Sequence, residues 1–242
     1  MHLTKFAFTD KGQRGNNEDA IFPDPQVSDN RIFIVCDGVG GAQKGEVASE
    51  SVSSDLYHLL NEHEVLNPLL IDEALVKVEA RLEEHIQQHP YSEGMATTLT
   101  LCVVQNDNVL LAHIGDSKIF FIRNGYVHYL SEDHSLVNEM VKNGLLTSED
   151  AKTHPKRNVI TKAVTADGGH IPAEIKVIGN VQDGDLIFLC TDGVTEAIDE
   201  QEIANLLVDS RNDREKIDFI QSRCQAASKD NYSGYLIRAV GS

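Results

Sequence analysis

Two stretches of this sequence place a carboxylate at the end of an apolar run and follow it with glycine. Ile32 to Cys36 leads into Asp37-Gly38, and "LIFLCTDGV" at 186 to 194 leads into Asp192-Gly193. Short runs rich in β-branched and aromatic residues read as buried strands. An ionised carboxylate at the edge of a core is costly unless something pairs with it. One such stretch is an accident of the chain. Two of them demand a shared partner for both acids.

The remaining pattern supplies the setting. Strand-like runs fall near 3–9, 31–36, 97–105, 108–114, 118–123, 126–130, 174–179, 185–190 and 233–240. Asn106-Asp107-Asn108 and Asn124-Gly125 are turn signals, so the middle of the chain reads as antiparallel hairpins. Leu70, Ala74, Leu75, Val78, Leu82 and Ile86 recur at helical spacing. Further helical patterns cover about 46–60, 199–208 and 213–228, with short helical pieces and a loop over 135–160. No repeat or low-complexity linker interrupts the chain, so the expectation is a single α+β domain over 1–240.

Charge and cysteine usage bound the function. A formal net charge of -17 argues against nucleic acid or an anionic membrane as partner. No run reaches transmembrane length, and "MHLTKFAFTD" lacks the apolar segment of a secretory signal. Cys36, Cys102, Cys190 and Cys224 lie far apart, and three of them sit in apolar runs. The expectation is buried, reduced thiols in a cytoplasmic protein.

Several more carboxylates end strands or adjoin glycine: Glu18-Asp19 in "RGNNEDA", Asp116 in "HIGDSK" and Asp230 in "KDN". With Asp37 and Asp192 they form a hard oxygen set with no His or Cys cluster near them. That chemistry suits magnesium, manganese or calcium and disfavours zinc. Gly38 and Gly193 would let backbone and cation approach closely. Any one Asp-Gly pair is also an ordinary turn, and Asp116 also reads as a turn acid pairing with Lys118. For five sites together the turn explanation is strained. Neither an EF-hand spacing nor a P-loop is present.

The ordered series "RGNNED", "DGVGG", "GMATT", "GDSK", "EDHS", "HPKRN", "GDLIFLCTDGV" and "KDN" resembles the protein phosphatase 2C family in its compact bacterial form. These are metal-dependent Ser/Thr phosphatases. The motifs run in the family's order from Arg14 to Asn231. The resemblance implies a four-layer α-β-β-α sandwich of two antiparallel sheets, with the site at one end. It implies two tightly bound Mn2+ or Mg2+ ions and a third, weaker one. Asp37 would bridge the tight pair, and Asp192 and Asp230 would complete one of those sites. Asp19, with Glu18 close by, and the Gly38 carbonyl would serve the other. Asp116, with Asp192, would hold the third. A hydroxide formed from bridging water would attack phosphorus in line, and Arg14 would hold the phosphate oxygens through its fork. Phosphorylated Ser/Thr proteins are the implied substrates and a Ser/Thr kinase the opposing enzyme, for a monomeric phosphatase.

The pattern departs in places. Val39 stands where eukaryotic members carry a histidine after Asp-Gly, so no side chain there can protonate the leaving alcohol. His113 and His134 lie in nearby motifs and read as core or surface residues before catalytic ones. Lys118 replaces a usual arginine, and "AVTADGG" and Ser233-Gly234 are further departures. The segment at about 136–156 is a flap-like candidate for substrate choice. Two competing readings remain: a pseudophosphatase that only binds phosphoproteins, and an acidic structural protein whose carboxylates staple strands through cations.

Overall fold

Successive side chains of a strand point to opposite faces, and this chain buries both faces of its central strands. The structure, a computed structural model, describes residues 2–27, 30–39, 44–106, 108–166 and 169–241. The chain runs through β1 (His2–Asp10), β2 (Asp19–Phe22) and β3 (Ile32–Val39), then helices α1 (Gly45–Asn61) and α2 (Pro68–Gln88). Next come β4 (Ala96–Thr97), β5 (Leu99–Val104), β6 (Asn108–Ile114), β7 (Lys118–Arg123) and β8 (Tyr126–Leu130). Short helices α3 (Leu136–Lys142) and α4 (Ser148–Thr153) precede β9 (Val164–Thr165), β10 (Glu174–Gly179) and β11 (Leu186–Cys190). Helices α5 (Asp192–Ala197), α6 (Glu200–Val208) and α7 (Asp213–Ala227) lead into β12 (Tyr232–Val240).

Two antiparallel sheets result. One has the order β1-β12-β11-β7-β8, the other β10-β6-β5-β3-β4-β9 with β2 also paired to β3. Between the sheets lie Phe33, Val35, Cys102, Leu111, Phe121, Leu189 and Tyr235. The opposite faces pack on helices. Ile32, Ile34 and Cys36 meet α1 and α2, whereas Phe188 and Cys190 meet α5, α6 and α7. This is the expected four-layer arrangement. Burial of each large side chain in the middle layer stabilises the fold by roughly 1.5–3 kcal/mol. All four cysteines are free and buried.

Local signals explain the helices. Asn67 caps α2 by accepting from the Leu70 N–H at 3.0 Å, with Pro68 at the first helical position. Asn212 and Glu215 form a reciprocal capping box on α7. The expected hairpins β5–β6 and β7–β8 are present, but residues 115–117 carry the chain from one sheet to the other. Asn124 and Gly125 both have positive φ, as the tight β7–β8 turn requires. Asp107 of the other turn, Gly40 and Gly41 of "DGVGG", and Asp167 and Gly168 of "AVTADGG" lie outside the described residues.

His170 ties the loop before β10 to α2. Its Nε2 lies 2.9 Å from Asp72 Oδ1 and its Nδ1 2.7 Å from Glu79 Oε2. Only the imidazolium donates from both nitrogens. Burial works against that charge, but the two carboxylates outweigh it and raise the pKa above 6.5. A raised pKa contributes stability that is complete below the unfolded value and disappears as pH rises through the folded one. His170→Gln should therefore lower Tm at pH 6 and have little effect at pH 9. Equal losses at both pH values in thermal melts would show that the charge is irrelevant.

Candidate metal centre

Alternation also explains where Asp37 points. Phe33 and Val35 face the middle layer, and Asp37 continues that face at the end of β3. Asp19 stands directly opposite Asp37 in the β2–β3 register. The hydrophobic layer between the sheets thus ends in carboxylates.

Backbone contacts fix Asp37 independently of its side chain. Its N–H donates to Thr98 Oγ1 at 3.0 Å, and its carbonyl accepts from the Thr98 N–H at 2.9 Å and Thr97 Oγ1 at 2.8 Å. Thr98 Oγ1 lies 2.7 Å from Ser117 Oγ, which couples the end of β3 to the Gly115–Ser117 crossover and so to Asp116. Gly115 has φ +105°, and a Cβ there would come within 2.6 Å of the Thr98 side chain. Only glycine fits that corner.

The other acids arrive from both sheets. Asp19 Oδ2 accepts from Thr191 Oγ1 at 2.9 Å, while its Oδ1 is buried with no hydrogen-bond partner among the described residues. Asp192 opens α5. Asp230 precedes β12 and accepts from Arg14 Nη2 at 2.6 Å. Asn231 clips the "RGNNED" loop in place: its Nδ2 donates to the Lys11 and Asn16 carbonyls, and its Oδ1 accepts from the Glu18 N–H. A cleft of about 480 Å³ is lined by Arg14, Glu18, Asp37, Gly38, Asp116, Asp192 and Asp230, with Val39, Asn158, Ile160 and Asn231. Asp19 is not part of this wall. It is buried just behind it.

The electrostatics follow from crowding. Burial, then Asp19, Asp192 and Asp116, push the Asp37 carboxyl well above its ordinary range. Burial and neighbouring carboxylates raise Asp19 to about 7, against the hydrogen bond from Thr191, and raise Asp116 to about 7. Asp192 is raised chiefly by burial, with Asp230, Glu196 and Asp133 adding to it. Glu18 is raised by burial and by Glu46. Among the described residues no three such side chains close into one coordination shell as they stand. They surround a cleft, and like charges so placed call for positive charge among them. The all-oxygen donor set and the unpartnered Asp19 Oδ1 fit a hard divalent cation.

Some expectations change. Lys118 does not pair with Asp116: its buried Nζ lies 2.6 Å from both Asp133 and Glu200. The turn-acid reading of Asp116 therefore loses its partner. Gly193 owes its smallness to a chain crossing, since a Cβ there would meet the Asn231 carbonyl oxygen at 1.9 Å. At Gly38 the neighbours are the Gly45 and Glu18 carbonyl oxygens, at 2.2 and 2.6 Å from a Cβ. His113 is fully buried, and burial takes its pKa down to about 3; His134 Nδ1 accepts from the Gly115 N–H at 3.1 Å. Neither lines the cleft. Sequence reading missed Thr98, Ser117, Thr191 and Asn231. Ser117, Thr191 and Asn231 sit beside acids that drew the attention, Thr98 ends the acid-free "GMATT", and the role of all four depends on contacts between distant strands.

Two antiparallel sheets with helices on both outer faces, and acids gathered at one end of the middle layer, define a PPM-type phosphatase architecture. The chain belongs to the protein phosphatase 2C family, whose model matches residues 11–236, and so is a protein phosphatase. It is 33% identical over 239 residues to the serine/threonine phosphatase stp of Listeria monocytogenes, covering 95% of this chain and 93% of that protein. The crystal structure of the Mycobacterium tuberculosis serine/threonine phosphatase PstP/Ppp has a TM-score of 0.89 at 27% identity over the whole of both chains. The catalytic domain of PstP, described in complex with two manganese ions, gives 0.84 at 26% identity over 99% of each chain.

Proposed function

We propose that this phosphatase hydrolyses phosphoserine and phosphothreonine esters of proteins in a reaction that requires Mn2+ or Mg2+. The observation that carries this reading is the convergence of Glu18, Asp19, Asp37, Asp116, Asp192 and Asp230 at one end of the inter-sheet layer, with Arg14 at the mouth. Asp37 lines the cleft together with Asp192 and stands opposite Asp19 across the β2–β3 pairing, so it is the residue placed to serve two cations. Asp192 and Asp230 would complete one position, and Asp19, Glu18 and the Gly38 carbonyl the other. Asp116 would hold a third, weaker ion with Asp192. When bound, such cations supply a water-derived nucleophile at neutral pH and offset phosphate charge. The PstP domain described with two manganese ions supports that choice of metal. The substrates are phosphoproteins, so a Ser/Thr kinase must supply them.

Turnover of a phosphothreonine peptide tests this directly. It should vanish with chelator and return with manganese or magnesium but not calcium, whose larger, looser coordination suits the site less. Full turnover after exhaustive metal removal would overturn the reading.

Arg14 would orient the phosphate. Its guanidinium is 60% exposed at the cleft mouth and rests on Asp230, so the fork is within reach of an entering anion. Arg14→Ala should lower kcat/KM roughly 30- to 150-fold, the worth of a charge-assisted hydrogen-bond pair of about 2–3 kcal/mol. Manganese affinity, measured by titration calorimetry, should change far less. Unchanged KM and kcat would reduce Arg14 to a surface residue.

A further inference from the structure

The chain carries 38 acids against 21 lysines and arginines, yet from Ala151 to Ala166 it has four cations and no acid. Lys152 pairs with Glu149. Lys156, Arg157 and Lys162 are exposed, and among the described residues none of the three makes an ion pair or a side-chain hydrogen bond. They bracket Asn158 and Ile160, which line the acidic cleft. This segment is held in place. Ile160 bridges to Ser135, the Leu136 N–H donates to the Val159 carbonyl at 2.9 Å, and the Thr161 N–H donates to the His134 carbonyl at 2.7 Å. His134 in turn donates its N–H to the Gly115 carbonyl at 2.9 Å, beside Asp116. Three exposed cations, without an ion pair among the described residues, therefore flank the part of this segment that lines the cleft.

We propose that Lys156, Arg157 and Lys162 form a docking strip for acidic residues that flank the phosphorylated side chain of a protein substrate. The proposal rests on the phosphatase reading and adds a substrate class to it. Charge complementarity carries the choice of partner. A peptide rich in Asp and Glu is repelled by a molecule of net charge -17 over most of its surface. At this lip it meets cations that, among the described residues, are not committed to any carboxylate. Such rim charges act chiefly on encounter and selection, and salt screens them. Basic flanking residues gain nothing from the strip and are repelled by it.

The test compares phosphothreonine peptides of identical length with acidic, neutral or basic flanks, using the manganese-loaded protein. p-Nitrophenyl phosphate, which has no flanking residues, reports the phosphate site in parallel. The wild type should prefer the acidic over the neutral peptide by about tenfold in kcat/KM at low salt, falling towards unity near 0.5 M salt. A triple Lys156→Gln, Arg157→Gln, Lys162→Gln variant should lose that preference, and the corresponding triple change to Glu should reverse it towards the basic peptide. Equal rates for acidic and neutral peptides in the wild type, or a preference that survives the change to Glu, would overturn the docking strip. Failure to turn over any peptide or the aryl phosphate would instead overturn the phosphatase reading.

Discussion

Asp37→Asn should leave a folded protein whose turnover of a phosphothreonine peptide is at least about a thousandfold below wild type, roughly 4 kcal/mol of lost transition-state stabilisation. The fold should survive because the Asp37 backbone, not its side chain, holds the strand end through Thr97 and Thr98. Asparagine has the same shape, and removing one charge relieves the crowding that pushes the Asp37 carboxyl up. Thermal stability in chelator should thus be unchanged or higher. The rise in Tm that manganese gives the wild type should shrink, because the variant offers the cations a weaker donor at the one position facing both Asp19 and Asp192. Wild-type turnover in this variant would remove Asp37 from the bridging role.

Gly193→Ala should be nearly as damaging by a different route. The new methyl would sit 1.9 Å from the Asn231 carbonyl oxygen and 2.9 Å from its carbon, backbone atoms that cannot rotate away. Asn231 must move, and with it the clip on Lys11, Asn16 and Glu18. Overpacking of this kind costs about 1–3 kcal/mol, which for a chain this long lowers Tm by roughly 3–10 °C. Turnover should fall further than stability does, since Arg14, Glu18 and Asp230 all shift. Gly179→Ala serves as the control, because a Cβ there meets nothing within 4 Å. Equal melting and activity for both variants would show that the crossing at Gly193 can relax.

Much of this architecture was legible in the residues because burial on both strand faces writes long apolar runs. β3, β5, β6 and β11 could be read that way, and so could α2 from its helical repeat. β2 escaped, since "DAIF" is four residues long and carries an acid. Its pairing with β3 is what turns Asp19 from a loop acid into the residue facing Asp37. α5 escaped as well: "DGVTEA" is short and begins with Asp-Gly, a turn signal. Asp37, Asp116 and Asp192 were visible because a carboxylate ending an apolar run is costly on its own, whereas the roles of Glu18, Asp19 and Asp230, in polar stretches, came from the resemblance. The hydroxyls that hold them were not. Thr191 on Asp19, separated by 172 positions, and Thr98 against Ser117 are ordinary polar residues until tertiary register brings them together.

The acids at the cleft belong to different sheets. Asp19 and Asp37 lie on β2 and β3, whereas Asp192 and Asp230 adjoin β11 and β12 of the other sheet, and Asp116 lies on the crossover between them. The hydrogen bond from Thr191 to Asp19 spans the same divide. If these acids hold the cations proposed above, turnover becomes a gauge of alignment between the two halves of the sandwich. A slip of about 1 Å would leave nearly every hydrogen bond within each sheet intact, yet misplacements of that size cost on the order of a hundredfold in rate. The apolar layer around Phe33 and Tyr235 thus acts as the keel of the proposed metal centre, although it lies outside the cleft.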